Sequence, residues 1–228
     1  MNKVLGFDVY GTLIDTGAIA QPLYELMGDL APLFAARWRE KQLEYSFRRG
    51  LMQNYVDFSR CTEQALDYCC ESMGQALTAG RRKLLMTAYG RLPAFDDVPQ
   101  ALTELRDAGC RLYAFSNGAA SAVQTLLEHA GLEALFDGIV SAEPLRSYKP
   151  NPAVYAHFLR SASAEQEQAW LISANSFDVI GARSAGLQAV WLKRDTSALL
   201  DPWELAPTLT VSTLAALPGE LPGELAGQ

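Results

Sequence analysis

Five apolar runs of strand length, spaced along the chain with helical stretches between the last four, limit what this sequence can become more than any other feature. They are residues 3–7 (KVLGF), 111–115 (RLYAF), 138–142 (GIVSA), 169–172 (AWLI) and 188–192 (QAVWL). Short continuous runs of this kind read as strands buried on both faces. Residues 97–108, 119–130, 151–161 and 178–186 have helical spacing, and glycines such as Gly109 and Gly131 follow where a helix would end. Strand alternating with helix predicts an α/β fold, a doubly wound, Rossmann-like parallel sheet. The alternation is interrupted once, by about residues 15–91, which read as wholly helical and as an inserted cap domain. Within it, Phe34, Trp38 and Tyr45 fall on one stripe of APLFAARWREKQLEYSFRRGL, the packing face of an amphipathic helix. The expected organisation is a catalytic core of residues 1–14 and 92–216, a helical cap of 15–91, and a disordered Pro/Gly-rich tail at 217–228, where LPGEL repeats on itself.

Composition removes several classes of function. At 228 residues and 49% hydrophobic content the chain can bury a sizeable core. Its net charge of −7 speaks against nucleic acid or an anionic membrane as partner. No apolar run nears the ~20 residues of a membrane span, and Asp8 interrupts the apolar start, so a cytoplasmic protein is expected. Cys61, Cys69, Cys70 and Cys110 contain no C-x-x-C spacing and read as free thiols. His129 and His157 have no second ligand at metal spacing, and Arg81–Arg82–Lys83 reads as a solvated helix face.

In an open parallel sheet, ligands bind beyond the carboxyl ends of the strands. Polar groups gather at those ends here: Asp8 after VLGF, Ser116 and Asn117 after LYAF, Lys149 after the SAEPLRSY loop, and the SANSFD loop after AWLI. Singly, each has a plain explanation as a turn residue, a solvated charge or, for Asp178, a helix cap. A carboxylate, a hydroxyl, an amide and a lysine converging at one sheet edge are not explained by turn chemistry.

FDVYGTLID, FSNG, YKP and SANSFD, in this order and at these separations, resemble the four signature segments of the haloacid dehalogenase superfamily, over nearly the whole chain. The resemblance implies that Asp8 is a nucleophile forming a covalent intermediate, that Thr12 and Ser116 position it, and that Lys149 steadies the charges around it. Most of the superfamily resembles Mg-dependent phosphatases, which need a proton donor two residues after the nucleophile and a metal cage. Here position 10 is Tyr10, and the first acid of the GDxxxD loop is replaced by Ala174, with Asp178 retained. Both losses suit a halide leaving group, which departs without protonation, and no metal or other cofactor is expected. Tyr10 could also be a core aromatic, and a ring there could wall an apolar pocket as well.

D-x-Y-G-T resembles the L-2-haloacid dehalogenase branch specifically. The likeness of WREKQLEY to that branch's halide-abstracting helix puts its arginine at Arg39, whose neighbours at i±3 and i±4 include no acid. It further implies substrate contacts from Tyr10, Leu43, Phe58, Asn117 and Phe177, with Tyr155 supporting the lysine region, and a positioning hydroxyl at Ser173. Two departures stand out: Glu40 where glutamine is typical, and Phe177 where tryptophan is common. The implied reaction opens a small (S)-2-haloalkanoic acid at C2 through an Asp8 ester. The substrate carboxylate is held by Ser116, Asn117, Lys149 and backbone N–H groups, and water is activated by Asp178 or by a Lys149–Asn175 pair. The implied partners are the halogenated acid and its halide. Cap helices in the family often form a dimer surface, which leaves a homodimer open. Two other functions remain: a Mg-dependent phosphatase or phosphonate hydrolase of the same fold, and a non-catalytic binding module.

Overall fold

The computed structural model of the protein describes residues 3–222. Six strands form one sheet: β1 (Val4–Phe7), β2 (Arg111–Ser116), β3 (Gly138–Ser141), β4 (Ala169–Ser173), β5 (Gln188–Leu192) and β6 (Leu209–Val211). Their order is β3-β2-β1-β4-β5-β6, and every pairing is parallel. All four residues of β1 are buried, as a central parallel strand covered on both faces requires. The chain leaves β1 toward β2 on one side and later returns with β4 on the other. The carboxyl end of β1 is therefore the topological switch point, where such sheets open a crevice.

Helices cover both faces. On one side α5 (Val98–Asp107) and α6 (Ala120–His129) bury Leu102, Leu105, Val123 and Leu127 in the same cluster as Leu5 and Phe7. On the other, α7 (Pro152–Ser161) and α8 (Ser176–Ser184) bury Val154, Phe158, Val179 and Ala182 against Val4, Phe115 and Leu171. Gly6 permits this second contact, since a Cβ there would lie 2.7 Å from Cζ of Phe158.

Between β1 and β2 the chain forms α1 (Ala20–Met27), α2 (Ala31–Leu51), α3 (Phe58–Ser72) and α4 (Ala79–Tyr89), joined by loops and short 3₁₀ turns. On α2, Phe34 and Trp38 are buried and Tyr45 packs beside them, the stripe expected from the spacing. The two ends of this helical segment run side by side: Asp15 N donates to Pro93 O at 2.9 Å and Phe95 N to Leu13 O at 3.0 Å. Among the described residues no helix is long and apolar enough to cross a membrane.

Three expectations need correction. The helix expected at 178 starts at Ser176, so Asp178 lies inside its first turn and does not cap it. Strand β6 is additional to the five expected strands; its three residues carry a single buried side chain, Val211, too little for a periodic signal. The tail expected from 217 begins further on, because Leu217–Glu220 form the short helix α9 with Leu217 buried on the core and Leu221 packed beside it. The remainder of that tail, 223–228, lies outside the described residues. The four cysteines are free, with Cys61, Cys69 and Cys70 buried and Cys110 half-buried.

Candidate active site

The turn after β1 sets the geometry. Leu13 N and Ile14 N both donate to Val9 O, and Gly11, at φ 86°, supplies the left-handed residue the loop requires. This folds Thr12 back over Asp8, so that Thr12 Oγ1 donates to Asp8 Oδ2 at 3.0 Å while accepting Ala174 N at 2.9 Å. From the end of β4, Ser173 Oγ reaches the same oxygen at 3.4 Å. Asn175 is the N-cap residue of α8, yet its side chain makes no cap bond. Its Nδ2 donates to Asp8 Oδ2 at 2.6 Å and to Tyr10 O at 3.1 Å, a diversion from the usual capping role.

Lys149 supplies the charge. It is 1% exposed, and its ammonium donates to Asp8 Oδ1 at 2.7 Å, Asp178 Oδ2 at 2.6 Å and Phe115 O at 3.1 Å. An ammonium has three protons, so Lys149 has none left for another acceptor. Burial by itself would lower its pKa, but the facing charges of Asp178 and Asp8 prevail and raise it above the ordinary lysine value. Asp178 is fully buried and is pushed up to about 6 by that burial, against the pull of Lys149 and with Asp8 adding to the rise. Asp178 also accepts Tyr155 OH at 2.8 Å.

From the cap segment, α2 brings Arg39 over the sheet edge, where Nη2 donates to Tyr10 O at 3.1 Å and Nη1 to Gln42 Oε1 at 2.6 Å. The backbone carbonyl of Tyr10 thus joins Arg39 to Asn175, and through it to Asp8. Glu40 points away into solvent and pairs with Arg37 at 3.2 Å, so its carboxylate does not enter the site. Tyr10, Leu43 and Phe58 gather in one apolar cluster with Tyr148, and the rings of Tyr10 and Phe58 are 5.8 Å apart. Phe177 meets Phe47 of α2 edge-on at 4.9 Å, a bridge between α8 and the cap segment. A cavity of about 250 Å³ opens beside Tyr10, Phe58, Tyr89, Gly118 and Ala119, at the N-terminus of α6.

Several expected roles change. Ser116 does not touch Asp8; its Oγ accepts Gly118 N at 3.0 Å and shapes the turn. Asn117 Oδ1 accepts Lys149 N at 2.7 Å, which ties the β2 end to the lysine segment and leaves the amide nitrogen free to face a ligand. Tyr155, expected to support the lysine region, is wholly buried, so it makes no substrate contact of its own; its OH bonds Asp178, which in turn accepts Lys149 Nζ. Lys149 and Asn175 both bond Asp8, on different oxygens, so the two flank the carboxylate and make no bond to each other.

The sequence reading missed Arg194, just after β5. Its guanidinium holds Thr12 O through Nη2 at 2.8 Å and Nε at 3.1 Å, pairs with both oxygens of Asp97, and lies 3.8 Å over the ring of Phe95. A charge placed directly beyond a buried strand, at the same sheet edge as Asp8, was the available signal.

The family model for haloacid dehalogenase-like hydrolases matches residues 3–186. An (S)-2-haloacid dehalogenase of Pseudomonas sp. (strain YL) is 35% identical, covering 94% of this chain and 92% of that protein. The (S)-2-haloacid dehalogenase 2 of Pseudomonas sp. (strain CBS-3) is 33% identical over 97% of both. The structure of an L-2-haloacid dehalogenase from Xanthobacter autotrophicus with chloropropionic acid covalently bound superposes with a TM-score of 0.87 at 31% identity, covering 96% of this chain and 98% of that one.

Proposed function

The chain belongs to the haloacid dehalogenase-like hydrolases, and we propose that it is an (S)-2-haloacid dehalogenase, releasing halide from small (S)-2-haloalkanoic acids to give (R)-2-hydroxy acids. One observation carries this reading. The Asp8 carboxylate is locked at the switch point by Thr12, Ser173, Asn175 and Lys149, while a guanidinium from the cap segment reaches the carbonyl two residues away.

In the first step an Asp8 oxygen forms a bond to C2 as the carbon–halogen bond breaks on the opposite face, and the halide leaves with the bonding pair toward Arg39. Configuration at C2 inverts. Holding the carboxylate rigid lowers the entropic cost of this attack. The substrate carboxylate lies against Asn117 and the open N–H groups at the start of α6, where partial positive charge favours an anion. Because Lys149 is saturated, it stabilises charge without binding substrate directly. Tyr10, Leu43 and Phe58 wall the alkyl group. In the second step water adds to the Asp8 ester carbonyl, the acyl C–O bond breaks, hydroxy acid leaves and one proton is released. Asp178, which shares the Lys149 ammonium with Asp8 and whose pKa is raised to about 6, is the base this reading assigns to that proton.

The phosphatase alternative needs a metal cage between the carboxylates. That space is spanned by the Lys149 ammonium, and among the described residues no three His, Cys, Asp or Glu side chains stand close enough to hold a metal. The acid that would join Asp178 at such a cage is replaced by Ala174, and the Lys149 ammonium supplies the positive charge between Asp8 and Asp178. The same reading keeps the partners to a small halogenated acid and its halide, in the cytoplasm.

The test is chloride release from the two enantiomers of 2-chloropropionate. Turnover of the S form alone is expected, unchanged by chelator and absent in Asp8→Asn. Single turnover in ¹⁸O-water is expected to place label in the Asp8 carboxylate. Turnover of both enantiomers, or an Asp8 that stays unlabelled, overturns the reading.

A further inference from the structure

One buried polar side chain in the cap segment has no part in the mechanism above. Gln42 is 0% exposed on α2, one turn beyond Arg39. Both ends of its amide are engaged. Oε1 accepts Arg39 Nη1 at 2.6 Å and Tyr89 OH at 3.0 Å, and Nε2 donates to Thr62 Oγ1 at 2.5 Å. Thr62 in turn donates to Phe58 O at 3.0 Å, and its own carbonyl accepts Trp38 Nε1 at 2.8 Å. Three helices, α2, α3 and α4, thus converge on one amide whose only charged neighbour in this network is Arg39.

The chemistry of that choice is informative. A buried amide is costly unless every polar atom is paired, so its place here calls for an explanation beyond packing. A carboxylate at the same position would also accept from Arg39, but it would cancel the positive charge. An apolar side chain would leave the guanidinium free to rotate. An amide does neither: it orients one edge of the guanidinium without neutralising it, Tyr10 O fixes the other arm, and the remaining N–H groups stay available to an anion.

We propose that Gln42, itself held by Tyr89 and Thr62, is the positioning residue that aims Arg39 at the departing halide and keeps its charge unpaired. The proposal rests on the reading of Arg39 as the halide acceptor. Electrostatic help to a leaving group matters more for chloride than for bromide, because bromide is the better leaving group. A loss of aim therefore changes halide selectivity, which a merely structural amide would not do.

The experiment measures kcat and KM on (S)-2-chloro- and (S)-2-bromopropionate for Gln42→Met, Gln42→Glu, Tyr89→Phe and Arg39→Lys, with thermal midpoints alongside. In Gln42→Met, kcat for the chloro acid is expected to fall about 10²-fold, the scale of losing one preorganised electrostatic contact, with the bromo acid losing about tenfold less and KM changing little. Tyr89→Phe moves selectivity the same way by a smaller factor, and because it removes a single hydroxyl it carries the test if Gln42→Met does not fold. Gln42→Glu is expected to lose more than Gln42→Met at similar thermal stability. Equal losses on both halides, or a Gln42→Met enzyme as fast as the parent while Arg39→Lys is inactive, overturns the role of Gln42 and leaves the dehalogenase reading intact. An Arg39→Lys enzyme as fast as the parent on both acids overturns the halide-acceptor reading itself.

Discussion

The three protons of Lys149 end on Asp8, Asp178 and a backbone carbonyl, and this one residue decides what its two acidic neighbours can do. Burial of a lone carboxylate would force it neutral. Asp178 escapes that fate only in part: its pKa rises from 3.8 to about 6, so the group titrates just below neutrality. If Asp178 takes the proton of the hydrolytic water, it must be ionised to act, and turnover should rise as pH increases through about 6 and fall away below it. Lys149, raised above the lysine norm, stays charged throughout and should impose no alkaline limb in the neutral range. A pH profile of kcat with (S)-2-chloropropionate tests the first statement. In Asp178→Asn the ester should form and accumulate, trapping Asp8 in covalent form detectable by mass. A variant that hydrolyses the ester at the parent rate would remove Asp178 from the second step.

At the scale of elements, the site depends on how closely α7 and α8 approach. Gly181 of α8 faces Tyr155 of α7, and a Cβ there would stand 2.3 Å from Tyr155 OH and 2.7 Å from Cβ of Pro150. Gly181→Ala should therefore drive Tyr155 off Asp178 and cost about 1–3 kcal/mol, the usual penalty for overpacking. Turnover should drop with it. Adding Tyr155→Phe removes the worst clash, so the double variant should be more stable than the sum of the two singles predicts; simple additivity in urea melts would show that the two residues do not meet. Elements also explain what could be read in the sequence. Strands β1 to β5 were legible because burial on both faces makes continuous apolar runs, whereas β6 buries only Val211. Asp8, Lys149 and Asp178 were legible jointly: each alone has a plain structural explanation, but their convergence at one sheet edge, in segments resembling the family's signatures, has none. Gln42 was not, since an uncharged amide on an amphipathic helix looks like surface until Arg39, Tyr89 and Thr62 are seen around it. For Ser116, residue type fixes what a hydroxyl can do, but only the turn geometry decides that it accepts Gly118 N.

For the whole molecule, the question is whether the helical segment between β1 and β2 stands apart from the sheet. Its buried side chains Phe34, Trp38, Leu66 and Leu85 belong to the same apolar cluster as Leu5 and Phe7 of β1 and Leu102 and Leu126 of α5 and α6. The two chain crossings at Leu13–Asp15 and Pro93–Phe95 are bonded to each other, and Arg39 spans the gap to Tyr10 O. Unfolding the helices alone would expose apolar surface on both sides of a shared cluster and leave those polar ties broken. Chains of this length often unfold in steps, so the packing makes a specific statement here: one cooperative transition. Single-tryptophan variants provide the reporters, one retaining Trp38 in the helical segment and the other Trp191 on β5. Their urea midpoints should coincide with each other and with loss of far-ultraviolet circular dichroism. Binding of (S)-2-chloropropionate to Asp8→Asn versions of both should raise the two midpoints together, because a ligand held between Asp8 and Arg39 stabilises only the joined form. An early transition seen by Trp38 alone, or a ligand shift confined to one reporter, would mean that the cap and the sheet fold as separate units and that closure over substrate is a rigid-body event.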